Sequence, residues 1–234
     1  MEEATSRNIC PKCNETFIPP RIDRIYLIHQ LSGIFSLDRG FLFTLAQMCL
    51  HPGLASRNFI TGERKRYMKP VIFLFLCSLI YTFLENSFHF EEETYESMGV
   101  KKDSGMIFIN WIREHYGYMN IFTSVLTAFW IKLFFKKSKY NLYEIIVLVC
   151  FFSGTSTLMY GLFGVLQSTT GYNTYIISWF LSFAYSVWAT GQFFDAQKLK
   201  LYWKGLFANA LGYLTFAFII FTITIGILMF KGIN

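Results

Sequence analysis

The sequence predicts an all-α fold, a polytopic membrane helical bundle of about five transmembrane helices preceded by N-terminal interfacial amphipathic helices. Three observations predict it. Hydrophobic residues make up 53% of the chain and charged residues only 15%, against roughly 25% charged in an ordinary soluble domain. The shortage of charge falls after Met68, where long apolar runs alternate with short charged ones. Basic residues then gather at alternate ends of those runs, the pattern of cytoplasmic loops.

Five windows approach the roughly 20 mostly apolar residues that cross about 30 Å of hydrocarbon. They run 70–84, 119–135, 142–166, 175–194 and 205–230. The first two are short. The first borrows Tyr67 and Met68, and Lys132 in the second lies near an end, where its stem can reach the interface. Arg57, Arg64, Lys65, Arg66 and Lys69 precede the first span; Lys132, Lys136, Lys137 and Lys139 surround the second connection, and Lys198, Lys200 and Lys204 the fourth. Against them stand Lys101, Lys102, Arg113 and Lys231 on the other side. This asymmetry places the N-terminus in the cytoplasm and the C-terminus outside. It also explains the net charge of +6 without nucleic acid as a partner, because the basic residues flank apolar segments. The expected partner is the lipid bilayer.

The chain divides into a short zinc-knuckle-like cytoplasmic segment over 1–21, amphipathic interfacial helices with a basic segment over 22–69, and a transmembrane bundle over 70–234. Residues 1–20 are polar, so the first span is expected to serve as its own insertion signal. Ile25, Ile28, Leu31 and Phe35 recur at helical spacing. Asp38 can cap a second run, with Phe41, Leu42, Leu45, Met48 and Cys49 on one side and Pro52-Gly53 at its end. These helices are too short to cross; they are expected to lie on the cytoplasmic membrane surface or pack beneath the bundle. After the first span, acidic Glu85, Glu91, Glu92, Glu93 and Glu96 give way to an apolar stretch over 106–112. That stretch reads either as a short helix on the outer interface or as a solvated loop.

Motifs that carry chemistry are few. Cys10 and Cys13 have the spacing of one zinc knuckle, and two thiolates can hold one edge of a tetrahedral ion. A structural site needs four ligands, and only Cys49 and His51 are near enough to complete it within one chain. The expectation is therefore no cofactor, with zinc at this half-site as the alternative, in one chain or shared between subunits. No H-E-x-x-H occurs, His29, His51, His89 and His115 all lie outside the windows, and Glu85, Glu144 and Asp195 sit at window ends. Catalysis and ion-coupled transport both lack the mid-membrane ionisable groups they use.

Asp38-Arg39-Gly40-Phe41-Leu42, Thr44-Leu45, Pro52-Gly53, and Gly62 through Tyr67 to Pro70 together resemble a family of uncharacterised bacterial membrane proteins. Its members open with a two-knuckle zinc ribbon, carry an L-D-R-G-F-x-x-T-L, P-G and G-x-R-x-x-Y-x-x-P signature, and continue into several spans. The resemblance covers roughly residues 9–85 and implies an inner-membrane location and this architecture, without chemistry. This chain has only the second knuckle. By layout alone it is also similar to small membrane accessory proteins of bacterial antiviral and CRISPR operons.

The windows themselves hold small and hydroxylated residues at four-residue spacing. Ser153, Thr157 and Gly161 form one such stripe, Ser182, Ser186 and Thr190 a second, and Ala208 with Gly212, beside Asn209, begins a third. Faces of this kind let membrane helices approach closely or line a narrow polar path. The function expected is that of a non-enzymatic, oligomeric inner-membrane protein, a pore-forming or membrane-perturbing effector with a cytoplasmic protein partner at its N-terminal region. A small transporter or lipid-handling protein is the first alternative, with a cavity around Ser153 to Thr157, Gln192 and Asn209. A membrane-surface enzyme using Asp38, Arg39, His51 or His115 is the second.

Overall fold

A computed structural model of the protein describes residues 40–97, 115–194 and 199–232. Those residues form α1 (Phe41–Leu50), α2 (Pro52–Thr61), α3 (Pro70–Phe88), α4 (Phe90–Ser97), α5 (Tyr116–Phe134), α6 (Leu142–Thr170), α7 (Thr174–Phe193) and α8 (Leu199–Gly232), with no strand among them. Asp38 and Arg39, the cysteine pair Cys10 and Cys13, the periodic run from Ile25 to Phe35 and the stretch 106–112 lie outside the described residues.

Local chemistry sets the helix limits. Pro52 and Pro70 open α2 and α3, where a missing N–H is harmless. Asn141 and Glu144 close a reciprocal capping box on α6, with Asn141 Oδ1 accepting from the Glu144 N–H at 2.8 Å and Glu144 Oε2 from the Asn141 N–H at 2.7 Å. Gly62 ends α2 at φ 141°, a backbone that residues with a Cβ resist. Helix α8, at 34 residues, is about 51 Å long and exceeds the hydrocarbon thickness on its own.

Helix α6 is the axis. It packs against α3, α5 and α7, and α8 covers the outer side of α5 and α7. Its residues 144–157 are buried on every side, so no apolar stripe is needed to orient it. At Gly154 a Cβ would come 2.8 Å from the Phe73 ring and 3.3 Å from the Leu74 Cα. The glycine is what lets α3 and α6 touch.

Three helices, Pro70–Phe88, Leu142–Thr170 and Leu199–Gly226, are long and apolar enough to cross a membrane. The other two windows also fold as helices, of 19 and 20 residues, and a division of faces explains their lower apolar content. On α7, Ser178, Ser182, Ser186 and Thr190 point inward and are at most 1% exposed, while Ile177, Phe180, Leu181 and Trp188 point outward. On α5, Ser124 and Thr127 are buried, and Phe122, Val125, Phe129 and Leu133 are exposed. Helix α8 adds Leu214, Phe218 and Phe221, each more than 60% exposed. Hydroxyls inside and large apolar side chains outside invert the arrangement of a water-soluble fold.

The two described N-terminal helices, α1 and α2, pack against the long helices. Gly53, Ala55, Phe59 and Ile60 are buried, and α2 packs on α6 and α7 at the end of the bundle. The side expected to be apolar on α1 needs correction. Met48 is buried and Phe41 and Leu45 are packed against the core, but Leu42 is 75% exposed and Cys49 also faces out. Thr44 takes the vacated position, because its hydroxyl accepts the Met68 N–H at 2.8 Å. A polar side chain is buried there because a backbone donor needs it.

Candidate functional site

A cleft of about 180 Å³ lies between α5, α6 and α8. Its polar wall comes from the two stripe residues Ser153 and Thr157 together with Ser156, Asn120 and Thr123. Three tyrosines, Tyr116, Tyr160 and Tyr213, converge on it from three different helices, and Met119 and Phe216 complete the apolar side. Tyr116 is within electrostatic reach of both Tyr160 and Tyr213, and Tyr213 of Tyr160. No lining residue carries a formal charge. Ser153 is 11 residues into α6, so the cleft begins about 16 Å from that helix's start.

The amide of Asn120 fixes one wall. Its Nδ2 donates to Thr157 Oγ1 at 2.7 Å and to Ser78 Oγ at 3.2 Å, tying α5 to α6 and α3. Thr157 and Ser78 in turn donate to the carbonyls of Ser153 and Leu74 one turn back. Ser156 differs. It is 3% exposed, lines the cleft, and its Oγ makes no hydrogen bond to a described residue.

The remaining stripe residues are drawn into contacts within the single chain. Gly161 lies against Leu84 and Tyr81 of α3, at 3.0 and 3.6 Å for an added Cβ. Ser182 lies beside the Tyr160 phenol and Ser186 beside that of Tyr213. Thr190 Oγ1 accepts from Asn209 Nδ2 at 3.1 Å, joining α7 to α8. Gly212 meets the backbone of Thr127, with its Cα 2.8 Å from an added Cβ.

The signature residues form a second assembly beside the N-terminal half of α6, where Phe59 meets Phe151. Gly40 packs against the Arg66 carbonyl and the Met68 nitrogen, 3.0 and 3.1 Å from where its Cβ would be. With Thr44 one turn later, it clamps the segment entering α3. Gly53 lies against the backbone of α7, and its N–H donates to Gln192 Oε1 at 2.8 Å. Tyr67 is buried edge-on to Phe43 and Phe59. Burial raises its phenol above the ordinary value, against the hydrogen bond of Asn58, and Glu63 raises it further while Arg66 lowers it.

Among the basic residues, Arg64 caps the end of α2 through the carbonyls of Phe59 and Ile60 at 3.4 and 3.3 Å. Arg66 sits 5.0 Å over the Phe43 ring and 3.7 Å from Glu63. Arg57 and Lys69 are half-buried and Lys65 is exposed. Cys49 and His51 are exposed at the α1–α2 junction, and no group of three or more metal-ligating side chains occurs among the described residues.

Residues 38–82 match a family described as a protein of unknown function, DUF3667. That segment holds α1, α2 and most of α3, so the matched residues are the clamp and the first long helix. No curated protein and no solved structure matches the chain.

Sequence reasoning missed two features. The tyrosines of the cleft carry no spacing signal, because Tyr116, Tyr160 and Tyr213 lie on separate helices. The acidic stretch after the first window also hides structure. Glu85 and Glu91 are buried, Glu91 accepts from the hydroxyls of Tyr81 and Tyr175, and Phe90 is fully enclosed. The alternation of Phe90 and Thr94 with glutamates was the available clue, since one turn separates the two buried side chains.

Proposed function

We propose that the chain is a non-enzymatic, five-span protein of the bacterial inner membrane that binds a small amphipathic molecule in the cleft between α5, α6 and α8. The N-terminus lies in the cytoplasm and the C-terminus outside. The observation that carries this reading is a partly polar cleft set mid-way along α6 while the outward faces of α5, α7 and α8 are apolar. Intramembrane sites of this kind form between helices, with a few polar groups on a largely apolar wall. The inward hydroxyls of α5 and α7 support counting both as spans, because their outward faces suit lipid.

A pore built from several copies, with the stripes as its lining, would need those stripes on an outer surface. Ser182, Ser186, Thr190 and Asn209 are at most 1% exposed within one chain, which weighs for a ligand cleft and against a stripe-lined pore. The clamp of α1 and α2 faces the cytoplasm in this topology, where a protein partner would reach it.

The test is mass spectrometry of protein purified in mild detergent, comparing wild type with Ser153→Phe, which fills the cleft. A non-covalent adduct on wild type that the filled variant lacks supports the reading. Absence of an adduct from both, or equal retention by both, removes it.

A further inference from the structure

We infer that α1 lies crosswise within the inner leaflet, and that its outward face, Leu42, Ala46 and Leu50, is covered by lipid acyl chains. The inference rests on the five-span reading above and adds what the first helix touches. Contacts give the depth. Helix α5 has 19 residues, about 28 Å, so it needs its whole length to cross about 30 Å of hydrocarbon. Its inner end is level with Tyr140, just before α6, because Lys132 Nζ donates to the Tyr140 carbonyl at 2.7 Å. Phe193, the last residue of α7, also meets Tyr140, with ring centroids 4.4 Å apart. The hydrocarbon therefore reaches to the start of α6. Helix α3 starts further in. Its fifth residue, Leu74, is level with Gly154, the thirteenth of α6, which offsets the two starts by about 12 Å.

Residues 144–152 of α6 are buried all the same, because the α1–α2 pair fills the space beneath α3. Helix α1 spans that space. Phe41 packs on Phe73, the fourth residue of α3, at 5.6 Å between ring centroids. The Met48 carbonyl accepts from the Tyr185 hydroxyl at 2.9 Å, and Tyr185 stands about 12 Å before the end of α7. Both ends of α1 are thus well inside the hydrocarbon boundary. The chemistry of the segment suits that depth. No Lys, Arg, Asp or Glu occurs from Phe41 to Ser56, and apolar helices this short dip into a membrane without crossing it. The break between α1 and α2 leaves backbone groups that water satisfies in a soluble protein. Here α7 satisfies them, through Gln192 Oε1 on the Gly53 N–H and Tyr185 on the Met48 carbonyl. Away from the bundle, Leu42 and Leu50 are 75% and 61% exposed, and Ala46 is exposed between them. His51 is exposed at the junction, and Gly53 lies against the Phe193 backbone, which leaves the imidazole within reach of the headgroups. The exposed Glu63, Lys65 and Arg66 of the turn after α2 are left to the cytoplasm.

The experiment places a thiol-reactive fluorophore at one position at a time in the full chain, reconstituted in phosphatidylcholine nanodiscs. Cys10, Cys13 and Cys49 are replaced by serine, while Cys77 and Cys150, which are buried, stay in place. The positions are Leu42→Cys, Ala46→Cys and Leu50→Cys on α1, Lys65→Cys on the turn, and Phe180→Cys on the outward face of α7; all five are exposed. One quencher is a nitroxide on the lipid acyl chain and the other is aqueous iodide. Labels at 42, 46 and 50 are expected to lose most of their fluorescence to the nitroxide and little to iodide, as the label at 180 does, with the reverse at 65. Quenching of the α1 labels by iodide, with the label at 180 still in lipid, overturns the inference and leaves the spans standing. Protection of the α1 labels from both quenchers also overturns it, because residues 1–39 or a second copy of the chain would then cover the face. Quenching of the label at 180 by iodide instead of the nitroxide removes the five-span reading and the inference together.

Discussion

The Gly53 N–H donates to Gln192 Oε1 at 2.8 Å, so the first turn of α2 is capped by a side chain 139 residues further along the chain. Leu54 N–H points at the same oxygen at 3.4 Å. An amide from α7 thus does for α2 what a local Ser or Asp does at most helix starts. Because Gly53 has no side chain, α2 can press directly on the backbone of α7. A Cβ at Gly53 would lie 2.6 Å from the Gln192 carbonyl carbon and 2.7 Å from the Ala189 oxygen.

Gln192→Leu is expected to cost about 1 kcal/mol, the loss of one helix cap, and to loosen the clamp before the bundle. The check is limited proteolysis at the exposed turn 61–63, which should quicken in Gln192→Leu. Gln192→Glu should restore resistance, since a carboxylate suits a helix N-terminus. Gly53→Ala should be worse than Gln192→Leu, because backbone cannot give way as a side chain does.

Gly154 and Gly226 make a matched pair. At Gly154 a Cβ meets the Phe73 ring at 2.8 Å, whereas at Gly226 nothing lies within 4 Å. Gly154→Ala should destabilise by about 1–3 kcal/mol through overpacking. Gly226→Ala should be neutral or slightly stabilising, by up to about 1 kcal/mol of helix propensity. Thermal unfolding in one detergent reads both; equal effects would mean that α3 and α6 do not touch at Gly154.

Asn120 ties three helices, yet its acceptors are each already bonded to a carbonyl of their own helix. Asn120→Leu should therefore lose only about 0.6–1.7 kcal/mol, the usual range for interhelical hydrogen bonds in membranes. Asn120→Asp, with a charge beside the cleft, should cost about 2.5–3.5 kcal/mol. The difference between the two in thermal unfolding reads the polarity of the cleft directly.

The long helices were legible because a run of apolar residues about 20 long has few other uses, and helices lie over all five windows. Two of those helices fall short of the apolarity of the other three for a reason that the runs also contain. Every fourth residue of α7 from Ser178 to Thr190 is a hydroxyl, and a helix with one polar face averages low. The stripes themselves were legible as close-contact faces, since spacing by four aligns side chains on one side of a helix. Which neighbour each stripe meets was not, because periodicity gives a helix its faces but not its partners. Ser153 and Thr157 turned out to border a cleft only because Tyr116 and Tyr213 stand opposite. On α1 the apolar positions misled: Leu42 looks inward by composition, but the unpaired Met68 N–H claims Thr44, and the helix turns accordingly.

Five crossings and three crossings put the same ends on the same sides, so the connections decide between them. Single cysteines, Lys137→Cys between α5 and α6 and Tyr172→Cys between α6 and α7, placed in a cysteine-free chain, can be labelled in intact cells with a maleimide that does not cross the inner membrane. Both positions are exposed. Five crossings predict rapid labelling at position 172 and labelling at 137 only after the inner membrane is opened. Labelling at 137 in intact cells with protection at 172 would mean that α5 and α7 do not cross, and the intramembrane cleft would lose its setting.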